Sequence, residues 1–245
     1  MQSIQWHTFG VHSNQTKTLV HFFPSAGSLT APYPAQCKLT AFGEAIGLKS
    51  VTLDGGRVSQ PDGICIDDVF PALESEKSAA VGIIIEVSTS QPRLDISPSS
   101  CVVEFVTDGF SARFHPHREK SLNEKDGLDI AIPLGLAIRD KYTKTSLFLL
   151  NISESEQQPA LALLKQDKRG ELIQTSLESR PLPPYSLREL TLGDPDFTEA
   201  FSVDQPYGVQ QYIPIVNDGE RNSQLVYYLV YRDASTGCPV SVCAL

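Results

Sequence analysis

The apolar residues of this 245-residue chain come in short runs rich in Val, Ile, Thr, Tyr and Phe, and the order of these runs repeats from one half to the other. Runs of about four to eight such residues, bounded by turn chemistry, are strand signals rather than helix signals. The first copy reads as a strand at 17–24, a second at 36–42, a turn carrying Gly43 and Gly47, and a third strand at 48–53. The second copy reads as a strand at 145–151, another at 160–164, a turn carrying Gly170, and a third at 172–177. Each half then closes on a predicted apolar hairpin, 81–87 with 101–106 in the first and 224–231 with 239–243 in the second. A spacing of about 125 residues exceeds the roughly 20–50 of a solenoid repeat, so the pattern reads as tandem domains.

Punctuation supports the strand reading. Seventeen prolines interrupt most stretches that could otherwise turn helical. Five Asp-Gly pairs, starting at 54, 62, 108, 126 and 218, predict tight turns in which the glycine takes a positive φ. Residues 67–80 and 195–201 have room for a helical turn or a crossover, although Pro71 and Pro195 fall within them. Residues 81–87 and 225–231 are apolar on both alternating faces, which predicts central strands covered on each side, whereas 38–42 and 171–177 are one-sided.

A chain of this length divides into two domains of about 120 residues, each able to bury roughly two-thirds of its unfolded surface. With 41% apolar and 20% charged residues the composition is that of a globular protein, so each core can be apolar. The polar stretch 117–127 reads as the boundary, giving a first domain over 1–117, a linker over 118–127 and a second domain over 128–245. The proline-rich stretch 179–185 reads as an extended connection inside the second half.

A net charge of −9 disfavours nucleic acid or an anionic membrane as partner, because both demand a basic footprint. The one basic cluster, 113–120, is diluted by Glu119, with Glu124 close beyond it, and reads as a solvated edge. No run approaches the ~18 apolar residues of a membrane span, and residues 1–7 lack the basic and apolar regions of a secretory signal. Five cysteines without C-x-x-C spacing read as reduced thiols, and together these features predict a cytoplasmic protein. Sequons at Asn14 and Asn151 carry little weight in that setting.

The segments 146–153, 160–164, 168–170, 183–190 and 212–216 together resemble the small bacterial β-sandwich domains typified by the sensory rhodopsin transducer family, and the immunoglobulin-like accessory domains of many bacterial proteins. The likeness spans Ile132 to Tyr231, about 40% of the chain, and lies in strand and turn pattern. It implies a non-catalytic, oligomeric binding or signalling module. This chain departs from the pattern in being tandem, and the resemblance transfers no functional residue.

Chemistry is sparse. All five histidines, His7, His12, His21, His115 and His117, lie in the first half. His115 and His117 at i and i+2 face one side of a strand, and His21 with a carboxylate such as Glu104 or Asp108 could complete a site for Zn²⁺ or Fe²⁺. Pro116 demotes that segment to an edge or loop, and separately hydrogen-bonded imidazoles are the simpler reading. No G-x-S-x-G elbow, dinucleotide fingerprint or P-loop is present. Of the paired carboxylates, Asp194 and Asp196 stand out, since Phe197, Phe201 and Tyr207 could make a small ligand mouth beside them. Tyr185, Tyr207, Tyr212, Tyr227 and Tyr231 could line an interface or platform, or simply edge a sandwich core.

The expectation is therefore two tandem antiparallel β-sandwich domains of immunoglobulin-like kind, forming a binding, adaptor or assembly module without a cofactor. It self-associates through a sheet face or edge, with room for a protein partner or small ligand. The alternative is a metal-dependent enzyme using His21, His115 and His117.

Overall fold

The computed structural model describes residues 2–22, 35–58, 60–76, 78–90, 100–118, 132–133, 137–139, 142–159, 161–166, 171–177, 180–191, 210–216 and 224–244. The chain is all-β and divides into two compact units, Met1–Lys120 with Tyr185–Leu187, and Ser121–Pro184 with Arg188–Leu245. Most of the predicted linker, from residue 119 on, lies outside the described residues.

The first unit contains β1 (Gln2–Ser13), β2 (Thr16–Phe22), β3 (Gln36–Phe42), β4 (Lys49–Leu53), β5 (Ile64–Cys65), β6 (Ser78–Thr89), β7 (Cys101–Thr107), β8 (Phe110–Phe114) and β9 (His117–Arg118). They form a five-stranded sheet, β4-β3-β6-β1-β9, and a four-stranded sheet, β5-β2-β7-β8. Two single helical turns, α1 (Gly55–Val58) and α2 (Ile66–Val69), and a 3-10 turn (Pro71–Ser75) lie between β4 and β6. Alternation makes the sandwich. Cys37, Leu39 and Ala41 of β3 and Val81, Ile83, Ile85 and Val87 of β6 point to one side. They form one core cluster with Trp6 of β1, Val20 of β2 and Cys101 of β7. Each fully buried aliphatic side chain contributes about 1.5–3 kcal/mol.

Three expectations fail here. The run 81–87 is not covered on both faces, since Val81, Ile83, Ile85 and Val87 are buried while Ile84 and Glu86 on the other face stay partly exposed. Residues 81–87 and 101–106 are not a hairpin, since β6 pairs with β3 and β1 in one sheet while β7 pairs with β2 and β8 in the other. Hydrophobic alternation specifies which face of a strand is buried, not which strand lies beside it. Asp54-Gly55 is not a positive-φ turn either. The Asp54 carboxylate accepts the Arg57 N–H (3.0 Å) and caps α1. The pairs at 62 and 108 do place their glycines at positive φ, 76° at Gly63 and 101° at Gly109. The Asp-Gly pairs at 126 and 218 lie outside the described residues, as does the stretch 195–201.

The second unit contains β10 (Ile132–Pro133), β11 (Ala137–Arg139), β12 (Thr143–Asn151), β13 (Leu161–Gln166), β14 (Leu172–Leu177), β15 (Ser186–Thr191) from Arg188 on, β16 (Gln210–Val216), β17 (Leu225–Asp233) and β18 (Pro239–Ala244). One sheet runs β15-β12-β17-β18 and the other β10-β16-β13-β14, with β11 also on β16. Leu147 and Leu149 of β12, Leu225, Tyr227 and Leu229 of β17, and Leu161 of β13 share a core cluster. Residues 225–230 are buried on both alternating faces, as their continuous apolar run predicts, and residues 145–151 are too.

Apart from β9, which pairs with β1 and has no counterpart among the described residues, the connectivity of the two units is the same. In the first, β2 lies between β5 and β7, β7 bears β8, β3 lies between β4 and β6, and β6 bears β1. In the second, β12 lies between β15 and β17, β17 bears β18, β13 lies between β14 and β16, and β16 bears β10 and β11. The counterpart of the β17–β18 hairpin is thus β7–β8, and the counterpart of β6 is β16.

Gly82 of β6 pairs with Phe42 of β3, and the Phe42 ring lies over it. A Cβ at position 82 would fall 2.1 Å from two ring carbons. Phe42 is fully buried, so its ring has nowhere to retreat. Gly82→Ala should therefore cost about 1–3 kcal/mol by overpacking, read as a lower denaturant midpoint; an unchanged midpoint would show that the contact is loose.

Candidate functional site

The outer face of the sheet β5-β2-β7-β8 carries the densest charged cluster among the described residues. Thr16, Thr18 and Val20 of β2 and Val103 and Phe105 of β7 are buried, so His21 and Glu104 emerge on the opposite side. Glu104 lies directly across from Leu19 of β2 and Arg113 of β8. Its carboxylate accepts the His21 Nε2 proton at 2.8 Å and the Arg113 Nε proton at 2.9 Å. Ser111 donates a third hydrogen bond. Burial alone would raise the Glu104 pKa, but the bonds from Arg113, Ser111 and His21 outweigh it and hold the carboxyl below its ordinary value. The group is 5% exposed and ionised.

Gly63 makes room for this arrangement. It precedes β5 at φ 76°, and a Cβ there would sit 2.7 Å from His21 Cε1 and Nδ1. Only glycine accepts both that conformation and the ring. One edge of the imidazole is held by Glu104 and the other is laid against Gly63, so the cluster is a charged cross-tie of β2, β7 and β8. Of the two carboxylates that the sequence offers to His21, Glu104 and Asp108, it is Glu104 that the ring meets.

The remaining histidines go elsewhere. The His115 Nδ1 proton is donated to the Cys101 carbonyl at 3.1 Å. His117 lies on β9, in the other sheet, directly opposite His7 of β1. His12 Nδ1 lies 2.9 Å from Asp67 Oδ2 and its Nε2 3.2 Å from the Glu76 carbonyl, which sets the end of β1 beside α2 and the 3-10 turn. The structure does not gather His21, His115 and His117, and among the described residues no three His, Cys, Asp or Glu side chains are grouped to hold a metal ion.

In the second unit Tyr227 is buried in the core cluster, with Tyr231 packed against it. Burial raises the Tyr231 pKa, and the neighbouring Cys243, hydrogen-bonded to its hydroxyl, adds to the rise. These two tyrosines are core and core edge rather than platform. Tyr185 is half-buried just before β15 and adopts φ 46°, rare for a residue with a Cβ. The backbone of Tyr212 pairs with Ala137, and its side chain lies outside the description. Tyr207, Asp194 and Asp196 also lie outside the described residues.

Sequence reasoning missed Asn151 as a structural group. It is fully buried, and its Nδ2 donates to the carbonyls of Ser155 (2.7 Å), Leu182 (3.0 Å) and Pro183 (2.8 Å) while Oδ1 accepts from Ser153. That sequon is a knot in the chain, closed to modification, whereas Asn14 lies exposed in the β1–β2 turn. No disulfide links the five thiols. Burial pushes Cys37 up to about 12, helped by Glu86, and Cys101 well above its ordinary value, helped by Cys37. Neither is a nucleophile.

No family model, no curated protein and no solved structure matches the chain. Among the described residues, no helix is long and apolar enough to cross a membrane.

Two titrations follow from this geometry. His7 is 3% exposed, and burial, with a smaller push from His117, lowers its pKa from 6.5 to about 4. Between these values the unfolded chain takes up a proton that the native one refuses. Stability is therefore full above pH 6.5 and falls towards pH 4, by about 3 kcal/mol from this group. Denaturant melts of His7→Asn should show a flatter decline over the same window; an equally steep one would acquit His7. Glu104 adds stability above the ordinary carboxylate range that is lost as pH falls through its lowered value. Glu104→Gln should cost about 1–3 kcal/mol at neutral pH, and a variant as stable as the parent would mean that the cross-tie contributes nothing.

Proposed function

We propose that the chain is a non-catalytic binding, adaptor or assembly module that self-associates through a sheet face or edge. One observation carries this reading: His12, His21 and His115 are each committed to a different structural contact, and His7 and His117 are paired in the sheet opposite His21 and Glu104. A metal-dependent or nucleophilic enzyme needs such groups convergent, with one position open to substrate. Here they fasten strands and turns.

The resemblance of residues 132–231 to bacterial β-sandwich modules points the same way. Its immunoglobulin-like side is one of composition and strand rhythm. In the first unit β1 lies beside β6, and in the second β10 lies beside β16, the counterpart of β6, whereas the first strand of a constant-type immunoglobulin domain lies beside the second. Five free thiols, three of them buried, suit a reducing compartment, and we place the protein in the cytoplasm on that ground.

Elemental analysis of the untagged protein by plasma mass spectrometry, with light scattering on the same sample, tests the proposal. The expected result is a metal-free assembly of at least twice the 26.8 kDa chain mass. Stoichiometric zinc or iron would move the reading to a metal-dependent enzyme built on the histidines of the first unit, and a monomer at all concentrations would remove self-association.

A further inference from the structure

An edge strand offers a row of unpaired N–H and C=O groups to any other strand, and proteins blunt such edges with charge, brevity or proline. Most edges of the described sheets are blunted. β4 carries Lys49, β8 carries Arg113, and β15 carries Arg188 and Glu189. β5, β9 and β10 are two residues long and β11 three. β14 is uncharged but flanked by Glu171 and Glu178.

β18 lacks charge and brevity, and its one departure from a regular edge is a bulge at Val240, where the pairing passes from Tyr231 opposite Ser241 to Arg232 opposite Pro239. Residues 234–245 contain no Asp, Glu, Lys, Arg or His, and the one proline of β18 is at its first position. The strand ends the order β15-β12-β17-β18, paired to β17 on one side and to no strand on the other among the described residues. Val240 is 42% exposed and Ser241 is exposed beside it.

We infer that β18 is the edge through which two copies of this chain join, antiparallel and about a twofold axis, so that the sheet continues from one copy into the next. The inference rests on the self-association proposed above and names its surface. A second copy suits this edge because the chain carries a net charge of −9. Two such chains repel wherever their acidic surfaces meet, and least across a strand with no charge. The strand is also self-complementary. Residues 241–244, beyond the bulge, alternate regularly and can pair antiparallel with the same residues of a second copy about a twofold axis, as a closed interface requires.

Sedimentation velocity of the full chain and of Val240→Lys and Val240→Thr, with far-ultraviolet circular dichroism as the folding control, tests the inference. Hydrogen exchange of the parent at two concentrations accompanies it. The expected parent is a dimer whose amides at 241–244 gain protection with concentration. Val240→Lys, which sets a lysine on each copy beside the junction, should sediment as a single 26.8 kDa chain, while Val240→Thr stays dimeric. A folded Val240→Lys that remains dimeric overturns the β18 edge and leaves self-association standing. A parent that is monomeric throughout overturns both. Should Val240→Lys fail to fold, the parent's exchange decides, and protection at 241–244 independent of concentration rejects the edge.

Discussion

The first unit depends on one ladder, the antiparallel pairing of β1 with β6 from Gln2 opposite Thr89 to Ser13 opposite Ser78. β6 carries β3 on its other side, and the three strands together present Trp6, Leu39, Ala41, Ile83, Ile85 and Val87 as one apolar face. That face has to be covered, and the chain covers it by turning β2 into a second sheet. The corner is secured by Thr18, whose buried hydroxyl donates to the Val11 carbonyl at 2.9 Å and accepts the Val11 N–H at 2.8 Å. Backbone groups that would lose their ladder partners at the corner are thereby satisfied.

Polar and charged residues act in this protein mainly as fasteners. His12 with Asp67, His21 with Glu104 and Arg113, and Asn151 with its ring of carbonyls each tie elements that packing alone would leave loose. A buried carboxylate or amide is costly unless its bonding capacity is filled, so Glu104 and Asn151 each define a single local arrangement. The same groups that suggest chemistry in the sequence are consumed by architecture in the fold.

The shared connectivity of the two units gives the repeat in the sequence a physical content. The strands at 17–24, 36–42 and 48–53 correspond to β2, β3 and β4, and those at 145–151, 160–164 and 172–177 to β12, β13 and β14, in equivalent places of each sandwich. The match fails at the closing hairpin of the first half. Runs 81–87 and 101–106 are equally apolar, and nothing local distinguishes a strand that pairs with its neighbour from one that passes to the opposite sheet.

By itself the sequence determined the β class, the one-sided burial of β3, the doubly buried β17, the turn at Gly43 and Gly47, and the positive φ of Gly63 and Gly109. Each of these follows from the period of alternation or the conformational range of one residue. Only the tertiary structure decided strand partners and the fate of the histidines. Pairing joins residues far apart in the chain, such as His21 and Glu104 at a separation of 83 positions. Which distant strands meet is set by how two whole apolar faces close over one core, a cooperative outcome that no short window contains.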